Sequence, residues 1–284
     1  MFSRLLFWGR TVTIRIGQIE YANCTPIFTA LQDNFDCGNY NFIKGVPSLL
    51  NGMLRRGEID ICPASSIEYG KSPERYFLLP DISISSDGPV KSVLLFSRLP
   101  LAELNNQPVA LTTESDTSIN LLKIILAKQY GFANHFERSP LPASEALHTF
   151  SAILLIGDAA LRESLSNRDF FVYDLGELWH AFTGLPFVFA LWMVTREAVE
   201  QRKSEVQALV AQLLAAKKLA YDSYGDIASK SEEREWMGKE ALVDYWRTIS
   251  YDLTPRHLEG VATFFSYARE LQLLPAEPHI RLFR

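Results

Sequence analysis

The sequence predicts an α/β protein of two lobes joined by two crossing segments, with a helical C-terminal part. Three observations carry that expectation. Short apolar runs with strand character alternate with helix starts, once before residue 70 and again after residue 108. Two longer apolar extended segments, 90–97 and 187–194, flank the second series and read as paired crossing strands. The length, 284 residues, suits two lobes at roughly 150 residues each. Residues 1–10 read as an N-terminal extension, 11–97 with 187–284 as the first lobe, and 98–186 as the second.

Taken in order, 11–19 alternates Val12, Ile14 and Ile16 against Thr11, Thr13 and Arg15, which is a strand. Thr25-Pro26 then starts a helix, with Thr25 as its cap. A second strand is expected at 41–44, and a helix from Pro47 through Leu54 that Gly57 ends. Ile59 to Cys62 is the third strand, with Ala64-Ser65-Ser66 opening the next helix. The segment from Pro80 to Val90 is rich in serine and carries Asp87-Gly88-Pro89, which reads equally as a tight turn or, from its place at the lobe junction, as part of a binding site. Beyond it come a strand at 109–112, a helix capped at 115–118 and closed by Gly131, a buried strand at 152–156, and a helix from Gly157-Asp158. Helices are expected at 197–224, 239–251 and 255–274.

Four loops share one character: Asn23 to Pro26, Ala64 to Ser66, Ser115 to Ser118, and Gly157 to Ala159. Each follows a strand and opens a helix with small or hydroxyl residues. Helix starts offer unpaired N–H groups and a positive dipole end, so they hold anions. Capping alone explains any one of them, whereas four at strand ends point to one cleft for a small anionic ligand.

Composition excludes several classes. Hydrophobic residues make up 48% and charged residues 21%, so the chain is globular in type rather than disordered. Lys plus Arg number 28 against 33 Asp plus Glu, a net charge of −5, which argues against a broad nucleic-acid surface. Three cysteines, Cys24, Cys37 and Cys62, and five scattered histidines show no zinc spacing, so no metal site is expected. Phosphate-loop, dinucleotide and nucleophile-elbow motifs are absent. Cys24 stands near a helix start, yet without a partner base it reads as a packing residue. His180 reads as part of an aromatic helix face at the crossing. No membrane span and no secretory signal are read, so a soluble cytoplasmic protein without membrane partners is expected. The apolar helical tail could support a homodimer, although core packing is its simpler use.

These residues together resemble the MqnA family of chorismate dehydratases. The matching segments are Arg15-Ile16-Gly17, Tyr21-Ala22-Asn23-Cys24-Thr25-Pro26, Gly57-Glu58-Ile59-Asp60 and Ser65-Ser66-Ile67-Glu68-Tyr69. Further on are Leu79-Pro80-Asp81-Ile82-Ser83-Ile84-Ser85-Ser86-Asp87-Gly88-Pro89-Val90, Ser115-Asp116-Thr117-Ser118, Leu155-Ile156-Gly157-Asp158-Ala159-Ala160-Leu161 and Thr183-Gly184-Leu185-Pro186-Phe187-Val188-Phe189-Ala190. The chain departs from the family at Ala22, where a bulkier residue is usual. The resemblance implies a periplasmic-binding-protein type II fold and the dehydration of chorismate to 3-[(1-carboxyvinyl)oxy]benzoate, on the futalosine route to menaquinone. It implies no cofactor, and catalytic roles for Asn23 and Ser86. A non-catalytic solute-binding protein and 1,4-dihydroxy-6-naphthoate synthase are the alternatives.

Chorismate carries two carboxylates. Helix starts and hydroxyls at Ser65, Ser66, Asp87, Gly88, Ser115, Thr117, Ser118, Gly157 and Asp158 are the expected binding residues. Thr117-Ser118 is assigned one carboxylate and Ser65-Ser66 or Ser86 the other, with Asn23 on the departing hydroxyl or an enolpyruvyl oxygen. The base is left open among Asp158, Asp87, Glu68 and the substrate's own enolpyruvyl carboxylate. Asp158 at a helix start is expected to have a lowered pKa and so to anchor rather than take a proton.

Overall fold

The chain is described by a computed structural model for residues 13–166 and 169–284, and the expected extension at 1–10 lies outside them. The first stretch holds β1 (Ile14–Ile19), α1 (Thr25–Asn34), β2 (Tyr40–Gly45), α2 (Pro47–Arg55), β3 (Ile61–Ser65), α3 (Ser66–Lys71) and β4 (Tyr76–Ser86). Next come β5 (Val93–Ser97), β6 (Pro108–Leu111), α4 (Asp116–Ile124) and a π-helical turn at Ile125–Gln129. They are followed by β7 (His135–Arg138), α5 (Ala143–Ala146), β8 (Ala152–Ile156), α6 (Gly157–Ser166), β9 (Phe171–Asp174) and α7 (Leu175–Thr183). The last stretch is β10 (Phe187–Thr195), α8 (Arg196–Asp222), α9 (Tyr224–Lys230), α10 (Arg234–Met237), α11 (Lys239–Trp246) and α12 (Pro255–Glu270).

Two sheets result, ordered β2-β1-β3-β10-β4 and β7-β6-β8-β5-β9. In each, three parallel strands carry the crossover helices, and one antiparallel strand is inserted beside them. The inserted strands exchange direction of descent: β5 precedes its sheet's parallel strands in sequence, and β10 returns to the first sheet after the second is complete.

The expected pairing of 90–97 with 187–194 is therefore corrected. β10 pairs with β3 and β4, while β5 pairs with β8 and β9. Every residue of β5 is buried, and so is every residue of β10. Strands apolar on both faces need neighbours on both edges and cover on both faces, which a two-strand ribbon between lobes cannot supply. Residues 93–97 accordingly sit in the second sheet rather than with 11–86.

The first crossing is a turn. Ser86 ends β4, Gly88 takes φ +108°, and Lys91 takes φ +61°. The Asp174 carboxylate gathers the turn, accepting from Val90 N and Lys91 N while capping α7 through Gly176 N and Glu177 N. Gly176 leaves no room for a side chain: a Cβ there would stand 2.5 Å from Gly88 O. The second crossing, after Gly184, is packed by Trp179 against Phe187 at 5.2 Å, with Phe264 of α12 5.1 Å from Phe187. His180 itself faces outward to Asp87 at 3.0 Å.

Three local expectations change. Thr25 does not cap α1; Cys24 holds that position without a side-chain bond, and the Thr25 hydroxyl donates to Glu233. Pro80 to Ser86 is strand, not turn. β4 is an edge strand, where proline is tolerated, and the tail satisfies its outer side through Ser83 N to Tyr251 O and Ser85 N to Ser250 O. The long helix α8 is broken at Arg202 (φ −144°, ψ 44°). That break lets the buried guanidinium reach Asp60 Oδ1 at 2.7 Å and Thr13 O at 3.1 Å.

Candidate active site

A cavity opens where the C-terminal strand ends of both sheets meet. Ile19, Tyr21 and Asn23 line it from the first loop, Pro47 and Ser65 from the starts of α2 and α3, and Ile84, Phe189 and Ala190 from the strands beneath. Val90, Ser92 and Val93 come from the first crossing, and Ser115, Ser118, Ile156 and Gly157 from the second sheet's loops. The wall is apolar with a few hydroxyls and one amide, the usual make-up of a small-molecule site. No lysine, arginine, histidine or carboxylate lines it among the described residues.

Of the residues singled out from sequence, Asn23, Ser65, Ser115, Ser118 and Gly157 come together on this wall. The others are engaged elsewhere. The Ser66 hydroxyl donates to Val188 O, and the Ser86 hydroxyl donates to Gly88 O. Thr117 Oγ1 accepts from Ile67 N. Asp87 stands at the surface between His180 and Arg256. Gly88 shapes the crossing turn. Among the possible bases, Glu68 is buried against Arg55 at 2.6 Å, and Asp158 Oδ1 accepts from Ala22 N at 2.9 Å.

Among the described residues, Asn23 is the lining residue with a buried polar atom that the fold leaves open. Its Oδ1 is buried and has no hydrogen-bond partner among the described residues. A buried acceptor left unpaired costs about 1–3 kcal/mol, and this one faces the cavity, where a bound molecule can satisfy it. The backbone around it is held on every side. Trp246 Nε1 donates to Ala22 O at 2.7 Å, and the Tyr251 hydroxyl donates to Asn23 O at 2.9 Å. Cys24 beneath is fully buried, and burial pushes its thiol well above the usual range, so it packs rather than reacts.

Electrostatics at the rim differ from the sequence expectation. Asp158 has its pKa raised, because burial outweighs the bond from the Ala22 N–H. Tyr21 donates to Glu114 at 2.6 Å, and burial together with that carboxylate pushes the phenol upward. Sequence reasoning missed Tyr21, Ser92 and Phe189. Tyr21 was inside a quoted motif, but nothing in the sequence shows that Gly157, at φ +58°, exists to admit its ring, where a Cβ would lie 2.8 Å away.

The fold and the cleft define the class: two α/β halves with a cavity between them, the periplasmic-binding-protein fold. The chain superposes on the alkanesulfonate-binding protein SsuA from Xanthomonas axonopodis pv. citri, with a TM-score of 0.70, 14% identity, and 94% and 96% of the two chains covered. A crystal structure of a protein from Archaeoglobus fulgidus gives a TM-score of 0.75 at 16% identity, covering 94% of this chain and all of that one (100%).

The family follows from sequence. Residues 14–270 match the menaquinone biosynthesis family, and the chain belongs to it. It is 32% identical over 264 residues to the chorismate dehydratase of Thermus thermophilus, covering 88% of this chain and 93% of that one. A chorismate dehydratase of Campylobacter jejuni is 33% identical over 178 residues, 61% of this chain and 64% of that one. Among the described residues no helix is long and apolar enough to cross a membrane, and no cluster of three or more His, Cys, Asp or Glu is placed to hold a metal.

Proposed function

We propose that this protein is a chorismate dehydratase of menaquinone biosynthesis, acting in the cytoplasm on the futalosine route. It converts chorismate to 3-[(1-carboxyvinyl)oxy]benzoate and water. The observation that carries the reading is Asn23: an unsatisfied buried amide oxygen in a cavity otherwise walled by apolar groups and hydroxyls. Its fit is to a neutral donor, and chorismate presents one in the ring C4 hydroxyl that leaves.

The reaction breaks the C3–H and C4–O bonds and leaves an aromatic ring. It is redox-neutral, so it calls for no electron acceptor. Aromaticity supplies the driving force, and the protein's part is to orient the diene and keep rearrangements out. The C3 proton is vinylogous to the ring carboxylate, so charge spreads there as the proton leaves. Ser115 and Ser118 at the start of α4 can donate to that carboxylate as charge grows. Ser65 at the start of α3 faces the enolpyruvyl carboxylate.

The cavity wall supports a substrate-borne base. Its one titratable described residue, Tyr21, is engaged by Glu114, and Asp158 is engaged by Ala22. The enolpyruvyl carboxylate takes the C3 proton and passes it to the departing hydroxyl, which leaves as water. Asn23 steadies that hydroxyl throughout.

The test is direct. Purified protein is incubated with chorismate, and the ring diene absorbance is followed while the aromatic product is identified by mass. Loss of the diene with gain of an arene 18 mass units lighter (one water, the stoichiometry of the step) is the expected outcome. Chorismate recovered unchanged overturns the assignment.

A further inference from the structure

We infer that Asp158 is a positioning residue: it latches the second half of the molecule onto the Asn23 loop, so that closure and the orientation of Asn23 are one event. The inference rests on the reading of Asn23 as the group that meets the substrate.

Asp158 belongs to α6 of the second sheet, and Ala22 to the loop after β1 of the first. The Ala22 N–H to Asp158 Oδ1 bond of 2.9 Å therefore crosses from one half to the other, one residue from Asn23. Beside it the Tyr21 ring lies over Gly157, and the Tyr21 hydroxyl donates to Glu114, also of the second half. The next two carbonyls of the loop, Ala22 O and Asn23 O, are held by Trp246 and Tyr251. Those two bonds come from the tail and lie on the first half's side of the cleft. They fix the loop's carbonyls, while the Ala22 N–H is left for the other half to take. An amide hydrogen bond to a carboxylate is about twice as strong as one between neutral groups, and this one is made only when the halves meet.

Further cross-contacts surround the latch without touching Asn23: Ser48 N to Glu114 O at 3.0 Å, Ile67 N to Thr117 Oγ1 at 3.0 Å, and Lys71 Nζ to Asp116 at 2.6 Å. They hold the cleft shut at its sides. Of these contacts between the halves, the Asp158 bond alone is made to the backbone of the Asn23 loop. A carboxylate is used there as an acceptor, which sets it apart from a base that must exchange a proton with substrate.

The experiment compares wild type, Asp158→Ala and Asp158→Asn, with Asn23→Ala as the control for the site itself. Amide hydrogen exchange of the peptide holding Ala22 is read by mass spectrometry without substrate. Steady-state turnover of chorismate is read in parallel. Asparagine keeps an acceptor oxygen, whereas alanine has none. The expected result is faster exchange of the Ala22 amide in Asp158→Ala by tenfold or more, with a tenfold or greater fall in kcat. Asp158→Asn should stay within about threefold of wild type on both measures, with its kcat–pH profile unshifted. Unchanged exchange in Asp158→Ala overturns the latch. Faster exchange with unchanged kcat overturns its role in positioning. Equal loss of kcat in both variants overturns it in favour of a proton-transfer role. Full turnover by Asn23→Ala removes the underlying reading instead, whatever the Asp158 variants do.

Discussion

The two halves of the molecule share a strand order and differ in how they bury polar groups. In the first half and the tail behind it, the buried polar residues include Asp60, Glu68, Arg202, Lys217 and His257. In the second, among the described residues, they are Ser97, Thr112, Ser115, Thr117, Ser118, Ser139 and Ser151, hydroxyls without exception. The reason lies in what each sheet is packed against. The first is crossed by α8 and by the tail, whose chain arrives from far away in sequence and is registered by paired charges such as Asp60 with Arg202. The second also packs its helices on α3, α12 and β10, but through apolar side chains of a shared core, and its fully buried polar groups are short hydroxyls such as Ser115, which accepts from Ser118 N. One half thus relies on fully buried ion pairs to distant segments, while the fully buried polar groups of the other are short hydroxyls.

The largest expected effect follows from that contrast. Asp60 is 2% exposed and bonds both Arg15, at 2.6 Å, and Arg202, at 2.7 Å. Burial pushes its carboxyl upward, but the two guanidinium groups and the Arg15 N–H outweigh burial and hold it below its ordinary 3.8. A lowered acid contributes stability that is present above the unfolded value and lost as pH falls through the folded one. Below about pH 3.8, hydrogen exchange should therefore rise in β1 and β3 before it rises in β6 and β8. Asp60→Asn strands the buried Arg202 charge and should cost about 3–5 kcal/mol at neutral pH, with a flatter acid limb in denaturant titrations. Equal loss of protection in both sheets would break the comparison.

The same contrast decides what could be read from sequence. β1, β8 and the starts of α4 and α6 are legible because their signals are local: alternation, an apolar run, a serine cap, a glycine after a strand. β4 is not. Ser83, Ser85 and Ser86 with Pro80 look like turn chemistry, and it takes β10 on one side and Ser250 and Tyr251 of the tail on the other to make the segment a paired strand. The bulge at Asp81, with φ +59°, is answered by Lys217 Nζ on Asp81 O, another partner from far along the chain. At the candidate site, Asn23, Ser65, Ser115, Ser118 and Gly157 were legible as loop residues at strand ends. Ser66, Ser86 and Thr117 carry the same chemistry, yet their hydroxyls are spent on Val188 O, Gly88 O and Ile67 N. Which way a hydroxyl points at a helix start depends on a one-residue rotation that no sequence pattern encodes.

A smaller effect is expected where the halves touch. Gly157 sits at φ +58°, which costs a side chain about 1–2 kcal/mol, and its Cβ would lie 2.8 Å from the Tyr21 ring. Gly157→Ala should leave each half folded, since the substituted residue packs against the opposite loop rather than its own core. Closure should suffer, and turnover of chorismate should fall by about one to two powers of ten, at 1.4 kcal/mol for each. A drop in thermal midpoint of only a few degrees, as the backbone strain alone requires, together with the loss of kcat would place the main effect at the cleft. Wild-type turnover would show that the halves do not meet at this glycine.

The smallest effect probes the dependence of the first half's site loop on the tail. Trp246 is fully buried and its indole N–H reaches Ala22 O at 2.7 Å. Trp246→Phe keeps an aromatic ring against Tyr224 but removes that donor, leaving a buried carbonyl unpaired. Loss of one neutral hydrogen bond at a buried site costs about 1–3 kcal/mol, and the carbonyl concerned precedes Asn23. Stability and kcat should both decline, kcat by about fivefold to tenfold, because the lost bond serves the loop as much as the fold. At Ser115 and Ser118 the side chains bond each other within three residues, and among the described residues no tail side chain bonds either of them. A Trp246→Phe variant that loses stability but keeps full kcat would mean the tail supports the first sheet without setting its loop, and the asymmetry between the halves would then be one of folding alone.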